Sequence, residues 1–368
     1  MPQVTGTDLT PCLLLQEKAV KYFGKLASDS QKPFVGVLDA LESPINKVGT
    51  QITMDMNNGQ IPPETGGKRK VQVRYIKPTC VEATDVEASE CSIPASDDNE
   101  WGFDDVTIDD FVSFSLQLSE TDFANFCEDR DTIYMENLMT RHNDAIKRWD
   151  KKLINAIHPL MGTYSTGTSS ITSPITVPFL APGNIPNLGA FNKVLEAFQN
   201  MGFSSTPIWV GDKKLLPLKQ IQMQGALGLN NQGIDLSKLN LTNFYYDNQL
   251  DANIAGGNDN VLTWIPGTIQ LVEYLDHKRK TLTEPMSLTI NGTQVTRYKK
   301  QLDVINIEGR DWDMFYEYDC GLHKFHFQKR FGLFHLPVDS VCDNKFPALA
   351  WLADCNLIDD CALLDLPI

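Results

Sequence analysis

Leu188-Gly189-Ala190-Phe191-Asn192-Lys193-Val194-Leu195-Glu196-Ala197-Phe198 opens the stretch, ending at Leu275, from which the fold of this chain is read. Leu188, Phe191, Val194, Leu195 and Phe198 fall at helical spacing, and Gly202 follows where a C-terminal cap is expected. Pro207-Ile208-Trp209-Val210-Gly211 reads as a buried strand. A second helix is expected over Leu215 to Leu227, then a polar loop, Gly228-Leu229-Asn230-Asn231-Gln232-Gly233. Strands are expected at Asn243-Phe244-Tyr245-Tyr246-Asp247 and Val261-Leu262-Thr263-Trp264-Ile265, and a helix through Gln270-Leu271-Val272-Glu273-Tyr274-Leu275. No nucleophile, base or metal cluster interrupts this order, which is that of a domain holding a shape.

Upstream, a helix is expected over Cys12 to Leu26, with Leu14, Leu15, Ala19, Tyr22, Phe23 and Leu26 on one side. Residues 48 to 77 read as a long hairpin, with arms Val48 to Met56 and Val71 to Ile76 around a turn-rich connection containing Gly59, Pro62, Pro63, Gly66 and Gly67. An isolated hairpin buries little and needs further packing. The longest element is a helix from Glu120 to Ile157 capped by Ser119, whose stripe is Phe123, Cys127, Tyr134, Leu138, Ala145, Trp149, Leu153 and Ile157. Acids crowd its start and bases its end, as the helix dipole favours. Residues 163 to 187, rich in Ser, Thr and Pro, read as loop. Strands are expected at Trp312 to Tyr318, His323 to Phe327 and Phe331 to Pro337, and a short helix at Ala348 to Ala353.

The 368 residues carry a net charge of −15, placed unevenly. Residues 78 to 129 hold fifteen acids and no Lys or Arg, which leaves 32 acids against 32 bases elsewhere. A nucleic-acid reader needs a basic face, so this balance argues against that class. The acidic segment reads as a solvated stretch, or as a surface that docks a basic partner or repels DNA. No apolar run reaches the roughly 18 residues of a membrane span. The N-terminus, Met1 to Gly6, lacks a basic stretch followed by an apolar one, which points to synthesis and folding in the cytoplasm. The eight cysteines form no C-x-x-C pair and read as reduced, buried thiols.

Taken together, the order of arm, extended hairpin, long helix, compact α/β lobe and returning strands resembles that of the major capsid proteins of tailed bacteriophages. These share the Hong Kong-type capsid fold with encapsulins. The resemblance is most specific at Gly189-Ala190-Phe191 through Gly211, at Asn243 to Asp251, and at Trp264-Ile265-Pro266-Gly267-Thr268. It implies an α+β fold with an N-terminal arm at 1–47, an extended loop at 48–78, and an acidic connecting segment or insertion at 79–118. A peripheral domain with the spine helix would follow at 119–187, an axial domain at 188–299, and peripheral return strands with a C-terminal tail at 300–368. It also implies a non-enzymatic shell subunit that assembles in the host cytoplasm into the hexamers and pentamers of an icosahedral virion. Its extended loop would lie on neighbouring subunits. Its further partners would be scaffolding, portal and decoration proteins, and it would enclose double-stranded DNA without reading sequence, with no membrane and no cofactor. An encapsulin-like compartment is the alternative within the class. Covalent crosslinking does not carry over, because Lys68 and Lys70 lie in the loop without a matching partner.

No phosphate-binding loop, H-E-x-x-H, G-x-S-x-G or dinucleotide fingerprint is present. A metal-dependent enzyme would have to use Cys320, His323 and His326. On a strand, Cys320 and His326 share a face and His323 points the other way, whereas zinc normally takes four ligands. Cys342, Cys355 and Cys361 with Asp343, Asp354 and Asp359 match no standard spacing. Asp247, Asp251, Asn253 and Asp259 supply oxygens of the kind calcium takes, and a polar loop is the simpler reading. The sequence therefore names no catalytic, cofactor-binding or metal residue.

Overall fold

The computed structural model describes residues 33–48, 53–54, 69–76, 101–119, 130–161, 164–166, 169–171, 175–177, 180–181, 185–186, 195, 198, 205–212, 243–254, 259–275, 283–290, 293–319, 322–336 and 349–354. The helices expected at Cys12–Leu26 and Leu215–Leu227, the loop at 228–233, the hairpin tip with Lys68, and Cys320 lie outside the described residues. So do residues 120–129 of the expected long helix. Of the helix expected from Leu188, Leu195 and Phe198 are described and are helical.

In chain order the helices are α1 (Gly36–Glu42), α2 (Pro44–Val48), α3 (Arg130–Ile157) and α4 (Leu250–Asn253). The first strands are β1 (Thr53–Met54), β2 (Arg69–Ile76), β3 (Trp101–Ile108) and β4 (Asp110–Ser119). Short strands follow: β5 (Tyr164–Thr166), β6 (Ser169–Ile171), β7 (Ile175–Val177), β8 (Leu180–Ala181) and β9 (Ile185–Pro186). Then come β10 (Ile208–Gly211), β11 (Phe244–Tyr246), β12 (Asn260–Trp264) and β13 (Ile269–Tyr274). The last are β14 (Thr283–Ile290), β15 (Thr293–Ile307), β16 (Arg310–Asp319), β17 (Leu322–His335) and β18 (Leu349–Asp354). The described residues are an α+β mixture.

The chain divides into two compact units. One comprises residues 1–33, 108–149 and 273–332, and the other 34–107, 150–272 and 333–368. In the first, β14, β15, β16 and β17 form successive antiparallel pairs, and β17 also pairs antiparallel with β4 over ten residues. Strand β4 alternates strictly, with Val112, Phe114 and Leu116 buried between Phe111, Ser113, Ser115 and Gln117. The sequence reading left β3 and β4 inside an acidic connector; their acids sit on exposed or half-exposed positions, and the charge obscured the period-two pattern beneath it. Thr283–Lys300 is a hairpin laddered onto β16, so it belongs to this unit, whereas the sequence reading ran the axial lobe to 299.

Helix α3, 28 residues long, extends about 42 Å at 1.5 Å per residue. Leu138, Ala145, Trp149, Leu153 and Ile157 of the expected stripe are all fully buried. Within the first unit, the ring of Trp149 meets Trp312 and Phe331, and Phe114 stacks on Phe327 at 4.6 Å between centroids. The β15–β16 turn places Glu308 at φ 51° and Gly309 at φ 83°. Two positive φ values in succession match the right-handed twist of the flanking strands.

The second unit is built on a five-stranded sheet in the order β11-β10-β12-β18-β7. The strands expected at Pro207–Gly211, Asn243–Asp247 and Val261–Ile265 are β10, β11 and β12. Two helical expectations fail here. Gln270–Tyr274 belongs to β13, and Leu349–Ala353 to β18, which pairs antiparallel with β12 and parallel with β7. Leu and Ala favour helix weakly, and sheet pairing overrides that preference. The expected loop at 163–187 contributes five short strands, one of them an edge of this sheet. The hairpin at 48–77 is present where described: Thr53 and Met54 pair antiparallel with Arg74 and Val73. Its second arm also pairs with β3, and Val73 is fully buried. This third strand gives the described arms support within the same chain, where the sequence reading had the ribbon depend on a neighbour.

Candidate functional site

The second unit contains most of the buried polar chemistry, and α1 and α2 are at its centre. Val35, Val37, Leu38, Ala40 and Leu41 are buried, and α1 packs on β10 and β11. Gly36 is needed for this approach, because a Cβ there would lie 2.7 Å from the carbonyl oxygen of Tyr246. Asn46, fully buried in α2, uses both arms of its amide. Its Nδ2 donates to the Ile269 carbonyl at 2.9 Å and to that of Leu41 at 3.5 Å. Its Oδ1 accepts from Trp264 Nε1 and from the Gly267 N–H, both at 3.2 Å. The Ile265-Pro266-Gly267-Thr268 turn closes with Thr268 N–H donating to the Ile265 carbonyl at 3.2 Å, and Gly267 takes φ 88°. Proline then glycine at its central positions is what such a turn requires.

Two fully buried carboxyl groups, Asp150 of α3 and Asp247 after β11, meet beneath α1 and hydrogen-bond each other. Asp247 Oδ2 accepts the Val37 N–H at 3.1 Å and its Oδ1 the Gln249 N–H at 2.7 Å. Asp150 Oδ1 accepts the Leu38 N–H at 2.9 Å and its Oδ2 the Gln249 side-chain amide at 3.3 Å. Burial first, and then the charge of Asp247, hold Asp150 well above the ordinary carboxylate range. Burial also raises Asp247, but its hydrogen bonds from Asp150 and the backbone favour its charged form. Burial raises both carboxyls, and their mutual repulsion keeps one proton on the pair.

Asp212, Asp251 and Asp259 form a second acidic group, with one oxygen of each within 4.8 Å of the others. Burial, followed by a hydrogen bond to Asp212, raises Asp251 to about 6. Hard cations take carboxylate oxygens of this kind, so these three are the described residues arranged to hold one. Only two of the four oxygen donors considered from sequence are among them. Asp247 is committed to Asp150 and α1, and Asn253 Nδ2 donates to the Gln249 carbonyl at 2.8 Å. Asp212 lies after a strand outside the 247–259 window, so local spacing could not have found it.

In the first unit, His323 and His326 do not converge. The His323 ring hydrogen-bonds the Tyr316 hydroxyl at 2.8 Å, and the His326 ring hydrogen-bonds Ser115 Oγ at 2.8 Å. His142 is fully buried on the α3 stripe, edge-on to Phe114 and Trp312. Burial first, then the charges of Arg310 and Lys329, lower its pKa to about 3, so it is neutral. Lys329 is buried, with its Nζ 2.9 Å from Glu273 Oε2 and 4.9 Å from the Trp149 ring centroid. The sequence signal for His142 and Asp150 was a polar residue at helical spacing on an apolar stripe. No helix among the described residues is long and apolar enough to cross a membrane.

No protein-family model and no curated protein matches this chain. It is similar to a solved structure from Mycobacterium phage Bobi, with 14% identity, 97% of this chain and 96% of that chain covered, and a TM-score of 0.39. It is similar to the mature capsid of bacteriophage PhiM1, with 9% identity, coverage of 78% and 82%, and a TM-score of 0.39. It is similar, too, to the capsid of Ralstonia phage GP4, with 12% identity, coverage of 79% and 84%, and a TM-score of 0.40.

Proposed function

We propose that this chain is the major capsid protein of a tailed, double-stranded DNA phage, a structural subunit that assembles into the icosahedral head. The observation that carries the reading is the order of its elements. A paired ribbon (β1–β2) is followed by a long, one-face-buried helix (α3). A compact lobe comes next (β10 to β13), and then long antiparallel strands (β14 to β17) that return to the unit containing the first part of α3. This is the succession the sequence resemblance leads one to expect. The buried polar residues support it as well: the hydrogen bonds of Asn46, Asp150 and Asp247 go to backbone and neighbouring side chains and fasten elements together. Such groups serve rigidity.

On this reading the 48–78 ribbon extends to a neighbouring subunit through its tip, the lobe meets its copies at capsomer centres, and the 119–187 and 300–368 segments form the periphery. The subunits assemble as hexamers and pentamers with separate scaffolding, portal and decoration proteins, and the acidic charge limits adhesion of the enclosed DNA. The test is expression of the full chain with candidate scaffolding proteins from the same genome, followed by electron microscopy. Closed, uniform shells are expected. A product that remains monomeric across ionic strengths and scaffolds would refute the reading.

A further inference from the structure

We propose that Asp150 and Asp247 form a one-proton latch: the proton between their carboxyls holds the start of α1 on the second unit, and its loss lets residues 34–38 open. The inference is independent of the capsid reading, because it concerns a single chain.

The geometry requires the proton. Both side chains are fully buried, and Gln249 bridges them, its N–H on Asp247 Oδ1 and its side-chain amide on Asp150 Oδ2; two carboxyls that hydrogen-bond each other there share one hydrogen. The remaining hydrogen bonds hold the pair in place: Asp247 accepts the Val37 and Gln249 N–H groups, Asp150 accepts the Leu38 N–H and the Gln249 amide, and one hydrogen is shared between the two carboxyls. Further acidic groups act on the pair and its surroundings. From α1, Asp39 adds negative charge at Asp150. From β11, the phenol of Tyr246 feels Asp247, and Asp212 and Asp251 act on that same phenol. Deprotonation therefore leaves two like charges in contact without water, which the fold does not tolerate.

On this proposal the opening is at α1, whose backbone the pair holds. Val37 and Leu38, both of which donate their N–H groups to the pair, lie in a helix of seven residues. Farther along the chain, Ser43 accepts the Tyr245 hydroxyl and Asn46 bonds Ile269 and Gly267; both are independent of the pair and keep the start of α2 in place. While the closed state binds one more proton than the open state, the opening constant rises about tenfold per pH unit. Alkali opens the latch and mild acid closes it.

The test is amide hydrogen exchange of the full chain at Val37 and Leu38, from about pH 6 to 9, corrected for the intrinsic pH dependence of exchange. Wild-type protection should fall about tenfold per pH unit over part of this range. In Asp150→Asn the side-chain amide donates to Asp247 at every pH, so protection should be flat. Flat wild-type protection, or a parallel fall in Asp150→Asn, overturns the proposal. Infrared spectroscopy of the wild type gives a second reading that needs no variant. A protonated carboxylic C=O band present at neutral pH and lost in alkali supports the latch, and its absence at neutral pH overturns it.

Discussion

Replacing Asn46 by Ala should destabilise the second unit by about 4 kcal/mol. The side chain is fully buried and makes three hydrogen bonds of 2.9 to 3.2 Å, to the Ile269 carbonyl, Trp264 Nε1 and the Gly267 N–H. Truncation strands all three groups. A buried polar group left without its partner costs roughly 1–3 kcal/mol. Three of them give roughly 3–9 kcal/mol before relaxation, and a water entering the vacated space recovers part of this. Asn46→Asp keeps the acceptor arm but aims a charged oxygen at the Ile269 carbonyl. It should match Ala at neutral pH and partly recover in acid, as the carboxyl regains a hydrogen. The assay is urea denaturation of the full chain, combined with hydrogen exchange at Gly267 and Thr268, whose turn the side chain supports. A loss below about 1 kcal/mol for Asn46→Ala would refute the reasoning, because one ordinary hydrogen bond already contributes that much.

Further predictions follow from the two units. Glu273→Ala should cost about 3 kcal/mol, because it leaves the buried Lys329 ammonium without its partner, whereas Lys329→Met should cost under about 1 kcal/mol, since Glu273 is 36% exposed and rehydrates; urea titrations of both separate them. His142 is neutral when folded, with its pKa lowered to about 3 from 6.5, so its contribution is full above pH 6.5 and is lost as pH falls toward 3. The first unit should lose about 1.4 kcal/mol per pH unit across that window, and His142→Phe should remove that slope in denaturation measured at several pH values. Gly36→Ala should cost about 1–3 kcal/mol, because its Cβ would lie 2.7 Å from a backbone oxygen; a neutral result in thermal unfolding would show that α1 shifts freely.

How much of this could be read beforehand depends on where the information sits in the chain. The α3 stripe was legible because burial on one face of a helix repeats every three to four residues, whatever it packs against. β10, β11 and β12 were legible as apolar and aromatic runs bounded by turn residues. β13 and β18 were not, because five or six residues such as Leu349-Ala350-Trp351-Leu352-Ala353 suit either state and only the neighbouring strands decide. β4 was legible in principle: Val112, Phe114 and Leu116 alternate with polar residues, but the surrounding acids drew attention to charge. The β14–β15 hairpin carried its own signal too, an Asn-Gly pair between Ile290 and Thr293, which the register pairs directly. The Asp150–Asp247 pair was not legible, because it joins a helix to a strand end distant in sequence. Only the anomaly of an acid on an apolar helix face pointed to it.

The central claim, that this chain builds a closed shell from copies of itself, is tested most directly by the particle-mass distribution of the purified full-length protein, expressed with its scaffolding partner. The account predicts one discrete population many times heavier than the 41.2 kDa chain. A single population at the mass of the lone chain, at every concentration and with every scaffold, would contradict it.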